Sequence, residues 1–293
     1  MPRSLYLSAP ILVDRGYDYQ TKDSHKELQM NIKTPFVMLL PLLFLAGCEQ
    51  DRIKTLCDSN PSLCADLHVD SWCKFERSDL IRARRQYSIS PDDASAYSLM
   101  VELDRYHDCL EPLLGIEYTK RKERKNDKLD AVIKAREDLR QLEQETRTSD
   151  YPYLQLWHWQ RHGDHQARIG FLNQAGNPLM QQPELQKALA ELLAPRDKQA
   201  AEQALHQALG LYPAGATIDT GIIANLINLY ISGKRYSDAW VWARVLVSLD
   251  QQAGVNLNRM DAYARFDEQQ QQDMQQQADH IVQRLKNGTY LQR

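Results

Sequence analysis

Cysteine is the residue type whose spacing in this sequence carries the most chemical information. The 293-residue chain contains five cysteines: Cys48, and a later group of four, Cys57, Cys64, Cys73 and Cys109. Cys48 directly follows an apolar run at residues 36–47. Because a thiol forms disulfides, binds metals or accepts a covalent modification, the surroundings of each cysteine decide among these reactions.

The apolar run before Cys48 has the properties of a secretion signal. Its 12 residues are too few for a membrane-spanning helix, which needs about 20, but they suit the apolar region of a signal peptide. The basic residue Lys33 precedes the run, as such signals require. The run ends Leu45-Ala46-Gly47-Cys48, which resembles the lipobox of bacterial lipoproteins.

The lipobox resemblance implies a specific modification of Cys48. Cleavage after Gly47 frees the amine of Cys48, and its thiol takes a thioether-linked diacylglycerol. Two or three acyl chains anchor a protein stably, whereas one chain does so only marginally. Glu49 follows the cysteine, whereas Asp at that position resembles an inner-membrane retention signal of enteric bacteria. The resemblance therefore implies an outer-membrane lipoprotein on the periplasmic side of a Gram-negative bacterium. The alternative is a buried segment that happens to end in cysteine.

The position of the signal predicts a later start of translation than Met1. Starting at Met30 gives a compact basic region before the apolar run, so residues 1–29 are interpreted as an over-extended gene start. Residues 30–47 are then the lipoprotein signal peptide. A genuine N-terminal extension is the alternative.

The four later cysteines are predicted to form two structural disulfides, since their number is even and the predicted compartment is oxidising. Three pairings are possible, and sequence does not select one. We favour Cys57–Cys64, across the turn at Asn60-Pro61, together with Cys73–Cys109. The cysteine spacing differs from that of zinc sites, so no metal is predicted. Residues 48–90 are therefore interpreted as an irregular, Cys-rich segment clamped by disulfides.

The remainder of the chain predicts an all-α fold, because apolar residues recur with helical periodicity and strand patterns are scarce. Ser90-Pro91-Asp92 is a good helix start, and the pattern predicts long helices over residues 91–150. Residues 151–293 are predicted to form a helical-repeat-like domain. It includes an almost wholly apolar, hence buried, helix from Ile218 to Tyr230 and a Gln-rich tail helix around 269–277.

Two stretches of this region resemble known helical repeats. The hairpin predicted around Gly233 resembles a tetratricopeptide repeat through Leu226, Tyr230, Ala239 and Leu246. Ile227 replaces the usual small residue, and Gly233 lies one place early. The stretch Trp157 to Gly170 more weakly resembles Sel-type repeats. The resemblance implies helical hairpins in a degenerate array, and an irregular helical bundle is the alternative.

Three motifs in the cysteine-rich segment carry a further resemblance. They are Asn60-Pro61-Ser62-Leu63-Cys64, Trp72-Cys73 and Glu76-Arg77-Ser78-Asp79-Leu80. Through them the chain resembles an uncharacterised family of Gram-negative lipoproteins with a domain of unknown function. That resemblance implies no activity.

Candidate interaction residues come from one basic cluster and two tryptophan pairs. They are Lys120, Arg121 and Arg124, together with Trp157, Trp159, Trp240 and Trp242. The two members of each i, i+2 pair point about 200° apart around a helix, so both cannot face one core. Burial between helices is the alternative for the tryptophans. The basic cluster could contact lipid headgroups or lipopolysaccharide, and a solvated helix face is the alternative.

Composition and missing motifs narrow the function. The net charge of −3 and 43% hydrophobic content are typical of a globular protein and do not predict a nucleic-acid binder. His158, His162 and His165 lie near Asp164, but no HExxH motif is present and Gly163-Asp164 is expected to end the helix there. No nucleophile–base, P-loop or dinucleotide motif occurs, so no catalytic residue and no cofactor are predicted.

These observations predict a lipid-anchored scaffold or adaptor that binds another envelope protein. The alternatives are a domain that binds or cleaves cell-wall glycan or peptide, and a purely structural envelope lipoprotein.

Overall fold

The computed structural model describes residues 52–117, 123–250 and 264–291, and residues 49–293 form one compact unit. Within the described residues the chain is all-helical, as the sequence predicts, with eleven α-helices, three short 3-10 helices and no strand. Cys48 and the signal at residues 30–47 lie outside the described residues. No helix in the described ranges is both long and apolar enough to cross a membrane.

The first hydrophobic core is built from five helices and two 3-10 turns. The helices are α1 (Ile53–Ser59), α2 (Lys74–Ile89), α3 (Asp93–Leu110), α4 (Glu123–Glu145) and α5 (Pro152–His162), and the 3-10 turns are Pro61–Leu63 and Glu111–Gly115. Helix α3 packs against both α2 and α4, so its side chains Met100, Leu103 and Tyr106 are fully enclosed. The first core is therefore centred on α3.

The second core is built from consecutive helical hairpins. Its helices are α6 (His165–Asn173), α7 (Pro183–Leu193), α8 (Lys198–Gly210), α9 (Thr220–Ser232), α10 (Tyr236–Leu249) and α11 (Glu268–Lys286), with a 3-10 turn at Pro178–Met180. Helices α7 and α8 form one hairpin, α9 and α10 form the next, and α8 also contacts α9. Helix α9 is buried through Ile222, Ile223 and Leu226, as its apolar sequence predicts.

Aspartate begins five of these helices. In each case a side-chain oxygen accepts a hydrogen bond from a backbone N–H of the first turn, which supplies a partner that the helix itself lacks. The five N-cap residues are Asp92, Asp164, Asp197, Asp219 and Asp267. Asp92 lies where the sequence predicts a helix start, and it forms a reciprocal capping box with Ser95.

Two disulfides hold the N-terminal part of the first core, with the pairing that the sequence favoured. Cys57–Cys64 joins α1 to the residue after the first 3-10 turn, with 5.7 Å between the Cα atoms. Cys73–Cys109 joins the start of α2 to the end of α3, with 5.9 Å between the Cα atoms. Cys73 has a left-handed backbone (φ 49°), a conformation that costs energy for a residue with a side chain, and the crosslink helps to hold it.

The expectation that residues 48–90 are irregular is corrected by the structure. Helix α2 alone occupies 16 of these residues, and α1 adds another seven. The sequence signal of α2 is weak because only Leu80, Ile81 and Ala83 are buried, whereas the rest of the helix is polar. The segment packs with α3 and α4 in the first core.

A buried polar network lies between the loop 66–73 and helices α3 and α4. Lys128 on α4 is 1% exposed and forms an ion pair with Asp70. The ring of His68 bonds through Nδ1 to the Tyr106 hydroxyl at 2.6 Å and through Nε2 to the carbonyl oxygen of Trp72 at 2.6 Å. Burial opposes ionisation of Asp70, but the hydrogen bonds from Lys128 and the Trp72 N–H outweigh it and lower its pKa.

Helix α5 contributes to both cores. Leu154 is buried in the first core, whereas Tyr153 and Leu156 on the same helix pack against the second. The hydroxyl of Tyr153 donates a hydrogen bond to Glu184 of α7 at 2.5 Å, and its ring lies 4.9 Å from that of Tyr97 on α3. The two cores therefore meet at this cluster of tyrosines.

Candidate functional site

The structure corrects the expectation that Trp240 or Trp242 faces a partner. Both lie on α10, and they are only 3% and 4% exposed. Their side chains do point in different directions, but α9 covers one side of α10 and α11 covers another. Each tryptophan therefore has a packing partner within the chain, and neither belongs to an exposed binding surface.

Trp157 and Trp159 of α5 are half-buried, each beneath an arginine. The guanidinium of Arg161 lies 4.8 Å from the ring of Trp157, and that of Arg168 lies 5.3 Å from the ring of Trp159. The indole N–H of Trp157 also donates a hydrogen bond to Glu143 at 3.0 Å. These cation–π contacts occupy ring faces that a ligand would otherwise use.

The predicted basic cluster is only partly described. Lys120 and Arg121 lie outside the described residues, whereas Arg124 is half-buried on the first turn of α4. One turn further along α4, Lys128 is buried against Asp70. The basic end of α4 therefore lies beside the loop 66–73, and this part of the helix is not wholly a solvated face.

A groove between α7, α8 and α9 has the features of a peptide-binding site. Its volume is about 290 Å³. Its floor consists of buried apolar side chains, Ala190, Ala201, Leu205 and Leu229. The alanines at the contact between the two hairpins have small side chains, which leave the space above them unfilled.

Polar groups of α7 and α9 border this groove. Asn225 and Asn228 project from α9, and the Asn225 amide donates a hydrogen bond to Glu191 of α7 at 2.9 Å. At the end of α9, the Lys198 ammonium donates to the backbone carbonyl of Ser232 at 3.1 Å. An amide side chain both donates and accepts hydrogen bonds, so this border matches the N–H and C=O groups of an extended peptide.

A second cleft, of about 470 Å³, lies in the first half of the chain between loop 61–66 and helices α2, α3 and α4. Arg84 bonds both oxygens of Asp66 at 2.7 Å and also contacts Asp138, which Lys134 contacts in turn. Burial opposes ionisation of Asp66, but Arg84 outweighs it and lowers the pKa of Asp66. Asp66 and Asp138 are therefore held in ion pairs within this cleft.

The predicted histidine group lines a third cleft, of about 560 Å³, at the end of α5. The helix ends at Gly163-Asp164, between His162 and His165, as the sequence predicts, because Gly163 adopts the left-handed conformation (φ 63°) that ends helices. His158 is buried and bonds Thr146 at 3.1 Å, and Nε2 of His162 lies 2.9 Å from a carboxylate oxygen of Glu143. These two histidines thus contact protein groups rather than converging on a common point.

Two groups among the described residues bring three ligand-type side chains together. In the first, Glu76 lies near Cys73 and Cys109, whose sulfurs are joined in the disulfide. In the second, His107, Asp108 and Glu111 lie close together, but Arg136 donates to His107 at 2.9 Å and contacts Glu111 at 3.4 Å. A bound guanidinium thus lies where a cation would bind.

A further polar network crosses the second core. The ring of His206 on α8 bonds the hydroxyl of Tyr290 at 2.7 Å and that of Tyr230 on α9 at 3.0 Å. Tyr230 in turn donates to Glu202 at 2.9 Å, and Arg235 contacts the same carboxylate at 2.6 Å. The network joins the C-terminal segment to the two hairpins.

Lower pH is expected to destabilise the protein through three of these histidines. Burial lowers the pKa of His68, His158 and His206 below the ordinary value of 6.5. Below pH 6.5 the unfolded chain takes up protons that the folded chain excludes, so the free energy of unfolding falls as pH decreases. We expect up to about 1 kcal/mol per histidine between about pH 7.5 and 5.5, measured by urea unfolding.

The matched comparison uses His158→Gln and a control at the exposed His280, His280→Gln. The first substitution should flatten the pH dependence, and the second should leave it unchanged. Equal pH slopes for both variants and the unmodified protein would contradict this prediction.

The sequence analysis missed an exposed apolar patch on the disulfide-clamped loop. It consists of Val69, Trp72 and Phe75, which are 81%, 52% and 71% exposed. Trp72 was the one tryptophan not considered as an interaction residue. The sequence feature that could have indicated this patch is the position of Trp72 between two cysteines, Cys64 and Cys73. The structure holds this segment in place by covalent and ionic contacts.

The geometry defines an all-helical protein with two cores, two disulfides and a groove between hairpins. Comparison with protein-family models matches residues 45–244, about two thirds of the chain, to DUF2989, a protein of unknown function. The chain therefore belongs to this family, which agrees with the resemblance to an uncharacterised family. No curated protein and no solved structure matches the chain.

Proposed function

We propose that this protein is a lipid-anchored adaptor on the periplasmic side of the outer membrane. Its helical hairpins bind a partner protein of the cell envelope through the groove between α7, α8 and α9. The groove is the observation that carries this proposal, because it combines an apolar floor with an amide-rich border. Small binding sites typically have this composition of apolar lining and few oriented polar groups.

Sequence supports the anchor and the compartment. The lipobox ending at Cys48 and the absence of aspartate at position 49 favour an acylated N-terminus in the outer membrane. Two disulfides agree with an oxidising compartment, since they are rare where glutathione keeps thiols reduced. An anchored domain is confined near membrane partners, which raises its effective concentration towards them.

The order of the helices supports the repeat-like character of the binding region. Helices α7–α8 and α9–α10 are successive hairpins of similar length, and α8 contacts α9 between them. In helical-repeat proteins such stacking creates extended surfaces for protein partners. The tetratricopeptide-like residues Leu226, Tyr230, Ala239 and Leu246 all lie in the second of these hairpins.

The polar cleft beside Arg84 contains the carboxylate pair on which the enzyme alternative would depend. Catalysis by a carboxylate pair requires environments that separate the two pKa values, so that one group stays protonated. Here Arg84 bonds both Asp66 and Asp138, and the pKa of Asp66 is lowered. This arrangement favours a structural ion-pair network, and we propose a non-enzymatic function.

Filling the groove is expected to abolish partner binding. Asn228 is exposed on α9, so Asn228→Tyr places a ring over the groove without removing a buried contact. We expect cross-linked adducts recovered from intact envelopes to decrease by about tenfold or more, as loss of a central interface contact does. The measurement is pull-down of the cross-linked protein followed by quantification of each adduct.

The matched control is Asn173→Tyr, at an exposed asparagine that ends α6 outside the groove. It should retain the adducts. Full retention by Asn228→Tyr would remove the groove from the proposal.

The anchor is tested separately by incorporation of labelled palmitate, which Cys48→Ala should abolish. Equal labelling of both proteins would reject lipidation at Cys48.

A further inference from the structure

The loop 66–73 and the first turn of α2 display apolar side chains that the fold does not use. Val69, Trp72 and Phe75 are all more than half exposed and lie within seven residues of one another. Elsewhere in the described ranges, large exposed apolar side chains occur singly or in pairs. A concentrated apolar patch of this kind marks a surface that contacts another phase or molecule.

This patch is held rigidly rather than left to move. Arg77 donates to the backbone carbonyl of Asp70 at 2.9 Å, and the N–H of Trp72 donates to the Asp70 carboxylate at 3.0 Å. The Asp70 carboxylate is itself fixed by buried Lys128, and Cys73 is bonded to Cys109. The backbone is thus fixed from several sides while the apolar side chains point outwards, so binding here costs little ordering entropy.

A lysine lies within the patch, and the basic start of α4 lies beside the loop that carries it. The Lys74 ammonium lies 4.7 Å from the centre of the Phe75 ring. The segment from Lys120 to Lys128 contains six basic and two acidic residues, and its last lysine bonds Asp70 within the same loop. Surfaces that lie on anionic membranes typically combine tryptophan and phenylalanine with lysine and arginine.

The length of the linker also favours a membrane. On the proposed function, the acylated residue is Cys48, and the described chain begins at Arg52. Four residues span at most about 14 Å, so the acylated residue would lie no further than this from the start of the described chain. Helix α1, which follows this linker, packs in the same core as α2, the helix that carries Phe75 on its first turn. A short linker would therefore keep this core close to the membrane surface.

From these observations we propose that Val69, Trp72 and Phe75 insert into the headgroup region of an anionic phospholipid bilayer, while Lys74, Arg124 and Lys125 contact lipid phosphates. This inference rests on the proposed lipid anchor for its location. It adds a second attachment that orients the domain on the membrane. The anchor alone would allow the domain to rotate freely about its linker.

The test uses residues 49–293, which form a compact unit with its own two cores, so that no acyl chain contributes. The probes are phosphatidylcholine vesicles with and without phosphatidylglycerol, and the measurement is co-flotation. We expect binding to the anionic vesicles that weakens with added salt. Trp72→Ser with Phe75→Ser should lower the partition coefficient by more than about tenfold, since two large apolar side chains leave the bilayer.

Two further variants separate lipid binding from general damage. Ile169→Ser with Leu179→Ser removes two apolar side chains of about half exposure in the other half of the chain, and it should bind as the unmodified protein does. Arg124→Gln with Lys125→Gln should lose binding to the anionic vesicles. The Trp72 contacts that hold the loop use only backbone atoms, so the patch variant should keep its melting temperature.

Absence of vesicle binding by the unmodified unit would overturn the proposal. Binding by the Trp72→Ser, Phe75→Ser variant as strong as that of the unmodified unit would also overturn it. So would a loss in the Ile169→Ser, Leu179→Ser control as large as that in the patch variant. If the patch variant lost cross-linked protein adducts but kept vesicle binding, the patch would be assigned to a protein partner, and the proposal of lipid binding would also be overturned. Failure of the groove variants would affect only the proposed function, because the vesicles contain no partner. Failure of palmitate labelling would remove the linker argument, but the vesicle measurement would still decide whether the patch binds lipid, because the unit carries no acyl chain.

Discussion

Lys128→Met is expected to lower the free energy of unfolding by about 3–5 kcal/mol. Lys128 and Asp70 have side chains that are 1% and 6% exposed, and they pair inside the first core. Removing the lysine leaves a carboxylate buried without its counter-ion, and the loss of that compensation dominates the cost. Urea unfolding at neutral pH measures the effect.

The control is Lys125→Met, one turn earlier on the same helix. Lys125 pairs at 3.5 Å with Glu117, whose side chain is 92% exposed, so its loss should cost less than about 0.5 kcal/mol. Adding Asp70→Asn to Lys128→Met should recover part of the lost free energy of unfolding, because it removes the unpaired negative charge of Asp70. The amide oxygen of the asparagine can still accept the hydrogen bond from the Trp72 N–H. Equal losses from the two lysine variants would show that the buried pair carries no special stability.

Removing the Cys73–Cys109 disulfide is expected to destabilise the protein more than removing Cys57–Cys64. The first crosslink joins residues 36 apart and the second joins residues seven apart. A crosslink stabilises mainly by restricting the unfolded chain, and its effect grows with the loop that it closes. The expected losses are about 4 and about 2 kcal/mol.

The variants replace both cysteines of one pair with alanine, so that no free thiol remains to form a different disulfide. Unfolding in urea under non-reducing conditions gives the two free energies. Similar losses for the two pairs would contradict the chain-entropy account. They would place the main contribution in folded-state contacts around each crosslink.

The sequence predicted those helices that are marked by a short local pattern, such as an N-cap residue or a continuous apolar run. Helix α3 begins after Asp92 because an aspartate at that position satisfies a backbone N–H of the first turn. Helix α9 was predicted from its nearly continuous apolar sequence. Helix α2 was missed because its buried stripe is narrow, and its packing against α3 rather than its own periodicity stabilises it.

The contacts that organise the candidate sites join residues far apart in sequence, and no local pattern reveals them. Lys128 and Asp70 are 58 positions apart, so the basic cluster gave no sign that one member is buried. The tryptophan argument was geometrically correct for α10, since Trp240 and Trp242 face different directions. The alternative of burial between helices is the one that the structure shows, and the sequence did not reveal the second covering helix, α11, because it follows a low-complexity glutamine pattern.

Helix α11 turns Met274, Ala278, Val282 and Leu285 inwards, while most of its remaining side chains are polar. The segment after it is fixed as well, because the N–H of Gly215 donates to the carbonyl of Lys286 and a Cβ on Gly288 would lie 2.5 Å from the Ala214 nitrogen. The family match stops at residue 244, within α10. Stacked hairpins offer an apolar edge to further hairpins, including those of another copy. Because α11 covers α10 and its outer face is mostly polar, we expect the stack of hairpins to end at this helix rather than to continue into another copy.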